Sequence, residues 1–181
     1  PLIQIYDEEE DVELDNLGLS PVSVDIWLDE HAFIDDKGLC RHKVDNRVIR
    51  ACIPMHTFGH PADIDNLLDI CLKWQLVMIE DAAQSIGASY KGHFSGTIGH
   101  IGVFSLNCNK IIQSGEGGVI VTNDDELAKR VSLIRNHAEA VIGTGMPVRN
   151  LINMLGWNYR MTEVEAAISR VQLTKLKSLI E

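Results

Sequence analysis

Hydrophobic positions recur along this chain with two different periods, and the switches between them outline its elements. Val22, Val24 and Ile26 alternate with polar residues, which predicts a short strand over SPVSVD (20–25). Residues 29–47 are polar and charged, with an Asp-Lys-Gly turn at 36–38. Val48 to Pro54 (VIRACIP) reads as a buried strand and 55–61 (MHTFGHP) as a loop. Ile64, Leu67, Leu68 and Cys71 then fall at i, i+3, i+4 and i+7, one apolar stripe of a helix. Leu76 to Ile79 are consecutively apolar, as in a strand covered on both faces. Strand, helix and strand at this spacing predict a βαβ unit with parallel pairing.

Two further strands are predicted over Gly102–Leu106 and Val119–Val121, joined by a polar loop containing glycine. Asn123 to Glu126 (NDDE) is a helix-start signal, followed by Leu127, Val131 and Ile134 on one face. Residues 137–156 look looser. Thr162 to Glu165 (TEVE) opens a last helix with Val164, Ala167, Ile168 and Val171 on one side, and its pattern still reads as helical at Glu181. The class is α/β.

Composition narrows the function. Sixteen basic against 26 acidic side chains give a net charge of −10, which argues against a nucleic-acid partner and against an anionic membrane surface. Hydrophobic residues at 45% and charged residues at 23% are ordinary for a globular protein. No apolar run reaches the ~18 residues of a membrane span, and no signal segment is visible at the N-terminus. Cys40, Cys52, Cys71 and Cys108 are too scattered for a disulfide scaffold and include no C-x-x-C pair. A reduced, soluble, cytoplasmic protein is expected. The length of 181 residues suggests one domain with a fragment of a second. Residues 7–15 carry seven carboxylates in nine positions, so 1–16 are expected to be an exposed acidic stretch. The chain begins with Pro1, not Met, which suggests missing upstream sequence.

Ligands of open parallel sheets gather beyond the carboxyl ends of the strands. Glu80 and Asp81 end one predicted strand, with Gln84 three residues on; Ser105 lies near the end of another, with Lys110 in the following loop. Each has a plain alternative, a helix cap for the acids and a solvated surface position for the lysine. His56 and His60, with Asp63, have the residue types of a metal site. Gly59 and Pro61 make their surroundings a loop, not a helix, so no metal is expected.

Taken together, EDAAQSIGASYKG (80–92) and FSLNCNKIIQSGEGGVIVTNDDELA (104–128) closely resemble the DegT/DnrJ/EryC1/StrS sugar aminotransferases. PMHTFGHPADID (54–65) and LGWNYRMTEVEAAI (155–168) match in the same order, so the resemblance covers 48–181, is weaker over 17–47 and is absent over 1–16. It implies a pyridoxal 5′-phosphate enzyme of fold type I: a three-layer, mostly parallel sheet with helices on both faces. Lys110 matches the lysine that condenses with the cofactor aldehyde, which requires an unprotonated amine. Asp81 matches the acid facing the pyridine nitrogen, Gln84 the residue beside the ring hydroxyl, and Ser105 a hydroxyl on the cofactor phosphate. Asn158 and, second to it, Arg160 match a phosphate contact made to the neighbouring subunit of a homodimer. His56, in the family's PxHxxG-like loop, takes a supporting role, and the GEGG of 115–118 reads as a tight turn. Trp157 and Tyr159 read as packing residues.

The resemblance implies transamination of a keto group on a nucleotide-linked sugar, with glutamate as the expected amino donor, to make an amino sugar for surface glycans. The MHTFGHP and LNCNKII variants look most like members that build legionaminic-type sugars. Residues 17–181 would be part of the large, cofactor-binding domain, and 163–181 the start of the helix leading to an absent small domain. The helix start with Gly-Thr that donates to the cofactor phosphate is also absent. A truncated, non-catalytic module of the same fold is the alternative. A sugar 3-dehydratase carries histidine in place of the lysine, and Lys110 disfavours it.

Overall fold

The computed structural model describes residues 18–138 and 155–181. The acidic stretch 1–16 and most of the loose segment 137–156 lie outside the described residues. The chain divides into two compact units between Phe104 and Ser105.

The first unit opens on helix α1 (Pro21–His31), where alternation predicted a strand. The Ser20 hydroxyl accepts the Ser23 N–H, and Pro21 occupies the first turn, where its missing donor costs nothing. Val24 and Leu28, four residues apart, are buried, whereas Val22 and Ile26 face solvent. The hydrophobic positions at 22, 24 and 26 therefore belong to two faces of a helix. Strands β1 (Ala32–Ile34) and β2 (Cys40–His42) pair antiparallel around the expected 36–38 turn. There the Asp35 carboxylate accepts the Lys37 and Leu39 N–H groups, and Gly38 takes φ of 73°.

The predicted βαβ unit follows. Strand β3 is confined to Ala51–Cys52, shorter than the 48–54 expected, because Val48 instead bridges antiparallel to Arg41. After a 3₁₀ turn at Thr57–Gly59, helix α2 (Ile64–Lys73) buries Ile64, Leu67, Ile70 and Cys71. Strand β4 (Val77–Asp81) runs parallel to β3, with Cys52 opposite Met78. A small antiparallel pair, β5 (Ser89–Tyr90) and β6 (His93–Phe94), precedes β7 (Ile101–Ser105). Strand β7 pairs parallel with β4, setting Glu80 opposite Gly102 and Asp81 opposite Val103. The core joins Val24 and Leu28 to Ile64, Leu67, Cys71 and Met78, and each such large apolar side chain contributes about 1.5–3 kcal/mol.

In the second unit, Leu106 donates its N–H to Gly117 C=O and accepts the Ser114 N–H, closing the 107–117 loop ahead of β8 (Gly118–Val121). Gly115 and Gly117 have φ of 95° and 140°, the tight turn expected of GEGG. Helix α3 (Asp125–Arg135) is capped by Asp124, one residue beyond the predicted Asn123, and buries Leu133. Helix α4 (Glu163–Leu173) carries the expected capping box, Thr162 with Glu165. The segment 163–181 is not one helix: α4 ends at Leu173, Thr174 and Lys175 form the break, and α5 (Leu176–Ile180) follows. Within this unit Val164, Ile168 and Val171 are exposed.

Candidate active site

The expected residues fall in both units. In the first, Asp81 is the last residue of β4, at its carboxyl end. Its N–H donates to Pro54 C=O and its C=O accepts the His56 N–H. One carboxylate oxygen, Oδ1, accepts the Ala83 N–H at 3.0 Å. The other, Oδ2, has no hydrogen-bond partner among the described residues and remains available to a cation or a ring N–H. Gln84 lies in the turn after β4, and its Oε1 accepts the Phe58 N–H at 2.7 Å, so its NH₂ points elsewhere as a donor. Phe58 holds φ of 53°, a left-handed conformation that a non-glycine residue seldom takes, and its ring is 83% exposed.

His56 is buried, and both ring nitrogens are engaged. Nε2 lies 2.9 Å from Glu80 Oε2, and Nδ1 accepts the Ala62 N–H at 3.1 Å, which assigns the ring proton to Nε2. No lone pair is left for a metal, so the ring chemistry itself removes the His56–His60–Asp63 reading. Asp63 meanwhile accepts from Asn66 and from the Tyr90 hydroxyl.

Glu80 was visible in the sequence only as an acid at a strand end. It is fully buried, and besides His56 it accepts three backbone N–H groups: Gly96 at 2.6 Å, Ile98 at 2.7 Å and Gly99 at 2.5 Å. Burial pushes its carboxyl pKa up, but the hydrogen bonds from His56 and from Gly99, Gly96 and Ile98 outweigh that and hold it below its ordinary value. The only signal in the sequence is its register. Glu80 shares a face of β4 with Met78, which is itself buried.

In the second unit, Ser105 ends β7, half-buried, and its Oγ accepts the Asn107 N–H at 3.3 Å, leaving its hydroxyl proton for another acceptor. Lys110 is half-buried in the following turn, where its N–H donates to Asn107 C=O. Its Nζ makes no hydrogen bond or ion pair among the described residues. Asn158 and Arg160 are exposed neighbours, with Arg160 Nε donating to Asn158 Oδ1 at 3.0 Å, and Asn158 bridges to Asn136 after α3. Trp157 and Tyr159 are not packed inside the unit as expected. Their rings stack on one another at 6.2 Å and are 56% and 66% exposed.

The core thiols do not shift together: the hydrogen bond with Cys52 lowers Cys71. Burial pushes the Cys40 thiol up to about 11, and a hydrogen bond with Cys71, then burial, push Cys52 up as well. No described helix is long and apolar enough to cross a membrane.

The chain is 39% identical over 161 residues to GDP-perosamine synthase of Caulobacter vibrioides, covering 88% of this chain and 41% of that relative. Among solved structures, an aminotransferase from Psychrobacter cryohalolentis aligns with a TM-score of 0.71 at 32% identity, over 89% of this chain and 38% of that one. A DegT/DnrJ/EryC1/StrS aminotransferase from Brucella abortus aligns with a TM-score of 0.74 at 26% identity, over 91% and 40%. The chain thus spans about two fifths of the relatives it matches. Residues 13–181 match the DegT/DnrJ/EryC1/StrS aminotransferase family throughout, and the chain belongs to it.

Proposed function

We propose that this chain carries the cofactor-binding part of a pyridoxal-phosphate-dependent aminotransferase that converts a keto group on a nucleotide-linked sugar into an amine. The observation that carries this reading is the 39% identity to a GDP-perosamine synthase, across a segment that includes the 80–92 and 104–128 motifs. The residues present suit the cofactor by their chemistry: an acid with one oxygen and a lysine with an amine that are unpaired among the described residues, and a hydroxyl and an amide each with a donor to spare.

The bound cofactor supplies an electron sink that labilises the Cα–H bond of the amino donor. In this reading Asp81 would accept from the pyridine N–H and keep that nitrogen protonated, while Gln84 would donate from its NH₂ to the ring oxygen. The Ser105 hydroxyl donates to the phosphate. Lys110 would hold the cofactor through its Nζ, and the same amine, when free, would take up and return the proton of the donor's Cα. Asn158, before Arg160, contacts the phosphate held by a second copy of the chain. The amino donor is glutamate, the active form a homodimer, and the compartment the cytoplasm. Residues 17–181 belong to the large domain.

The test is to add pyridoxal phosphate to the purified chain, follow the absorbance of the bound cofactor, reduce with borohydride and map the modified peptide. Labelling confined to Lys110, and lost in Lys110→Ala, is the expected result. No label on a chain that circular dichroism shows to be folded would instead point to a non-catalytic module.

A further inference from the structure

Glu80 and His56 take no part in the chemistry above, yet both are fully buried and each is saturated with hydrogen bonds. Removing a carboxylate from water is costly, and apolar side chains often serve stability as well as a buried polar pair does. Stability alone is therefore a weak account of this cluster, and its position suggests another.

We infer that Glu80 and His56 are a positioning pair that fixes the direction of the Asp81 carboxyl and the Gln84 amide by tying the 56–62 and 96–99 loops to the end of β4. The inference rests on the site proposed above, which assigns roles to Asp81 and Gln84 but none to Glu80.

Successive residues of a strand point to opposite faces, so anchoring the Glu80 side chain on one face sets the direction in which Asp81 leaves the other. Four hydrogen bonds anchor it, to Gly96, Ile98, Gly99 and His56. His56 closes a second connection. Its ring binds Glu80, its own N–H donates to Asp81 C=O at 3.0 Å, and its Nδ1 holds the Ala62 N–H. The loop thus bracketed between residues 56 and 62 contains Phe58, whose N–H orients Gln84. The closed set holds the backbone that carries Asp81 and the loop that orients Gln84, while rotation of the Asp81 carboxyl would also break its bond from the Ala83 N–H, so the two free polar groups are held in fixed directions before any ligand arrives.

Glu80→Gln keeps the shape but places an NH₂ among four donors, so at least one donor-against-donor contact forces the loops to shift. His56→Leu cuts the connection between Asp81 and Glu80. His56→Gln can restore it, since its amide both donates and accepts. The probes are pyridoxal phosphate and its 1-deaza analogue, in which carbon replaces the ring nitrogen and Asp81 has nothing to bind. Dissociation constants are read from the absorbance of the bound aldehyde.

Glu80→Gln and His56→Leu should weaken pyridoxal phosphate roughly tenfold, in line with other supporting-shell changes, and should weaken the analogue, which keeps the Gln84 contact and lacks the Asp81 one, by clearly less. His56→Gln should recover most of the loss. Equal weakening of both probes, or no weakening of either, overturns the positioning role while leaving the site reading intact. If Glu80→Gln does not fold, the His56 pair of variants decides by the same comparison. Failure of the unchanged chain to bind pyridoxal phosphate, with Lys110 unlabelled, overturns the site reading and this inference with it.

Discussion

Gly102 offers a direct check on how tightly the 96–99 loop is held. It lies in β7 opposite Glu80, and a Cβ built there would sit 1.7 Å from Gly96 O and 2.6 Å from Gly96 C. Ordinary contact begins near 3.4 Å, so Gly102→Ala requires about 1.7 Å of relative movement, and the obstacle is backbone, not a flexible side-chain tip. The Glu80 bonds to Gly96, Ile98 and Gly99 are 2.5–2.7 Å long and cannot all survive such a displacement. Forcing a methyl into a packed site costs about 1–3 kcal/mol, and losing one hydrogen bond to a buried charge adds about 1.5–3 kcal/mol. The expected destabilisation is therefore about 3–5 kcal/mol, a large part of the ~5–15 kcal/mol that usually holds a domain together.

Urea unfolding followed by circular dichroism measures this change, with Gly92→Ala as the control. Gly92 also sits in a tight place conformationally, at φ of 87°, but nothing lies within 4 Å of its Cβ direction, so only backbone strain of about 1–2 kcal/mol applies. A double variant with Glu80→Ala separates the two contributions. If the alanine at 102 already breaks the Glu80 bonds, the two changes together cost less than their sum. A Gly102→Ala chain within about 1 kcal/mol of the parent would falsify the claim that loop and strand are locked, since the loop would then have room to move.

The elements that the sequence revealed and those it hid differ in where their partners lie. Ile64, Leu67 and Cys71 repeat over two helical turns, and so do Leu127 and Val131, so period alone located α2 and α3. At α1 the same rule failed because positions 22, 24 and 26 suit both periods. The decisive signal was the Ser20-Pro21 start, with Val24 and Leu28 as the inward pair. Strands β1 and β2 are three residues each, and the second reads CRH, too short and too polar for alternation to register. Asp81 and Lys110 were marked only by lying at and beyond the carboxyl ends of predicted strands, and the resemblance alone gave them roles. At Glu80 only the strand-end position was legible and its network was not, because its partners are a ring 24 residues earlier and main-chain N–H groups 16 to 19 residues later. Main-chain donors have no residue type to recognise. What could have been read is a lone acid in phase with buried Met78, a position where charge persists only when donors converge on it.

Two further outcomes follow from the same geometry. Thr162→Ala removes the cap of α4, in which Thr162 Oγ1 accepts the Glu165 N–H and Glu165 Oε2 accepts the Thr162 N–H. It should cost about 1 kcal/mol, read as faster hydrogen exchange at Glu165 with α2 unaffected. The last outcome concerns acid. Glu80 is held below its ordinary 4.5 in the fold by His56 and three N–H donors that outweigh its burial. A carboxyl whose folded value is depressed contributes stability in full above its unfolded value and loses it as pH falls through the folded value. The urea midpoint should therefore drop between about pH 5 and the acid limit of folding, and Glu80→Gln, which cannot ionise, should flatten that slope relative to its own neutral-pH midpoint. Asp35 and Asp45 are also depressed, the first chiefly by Arg41 and the second, to about 2, chiefly by His42, so some slope will persist. A Glu80→Gln slope equal to the parent's would mean that the carboxylate titrates alike in the folded and unfolded chain, which four converging donors do not allow.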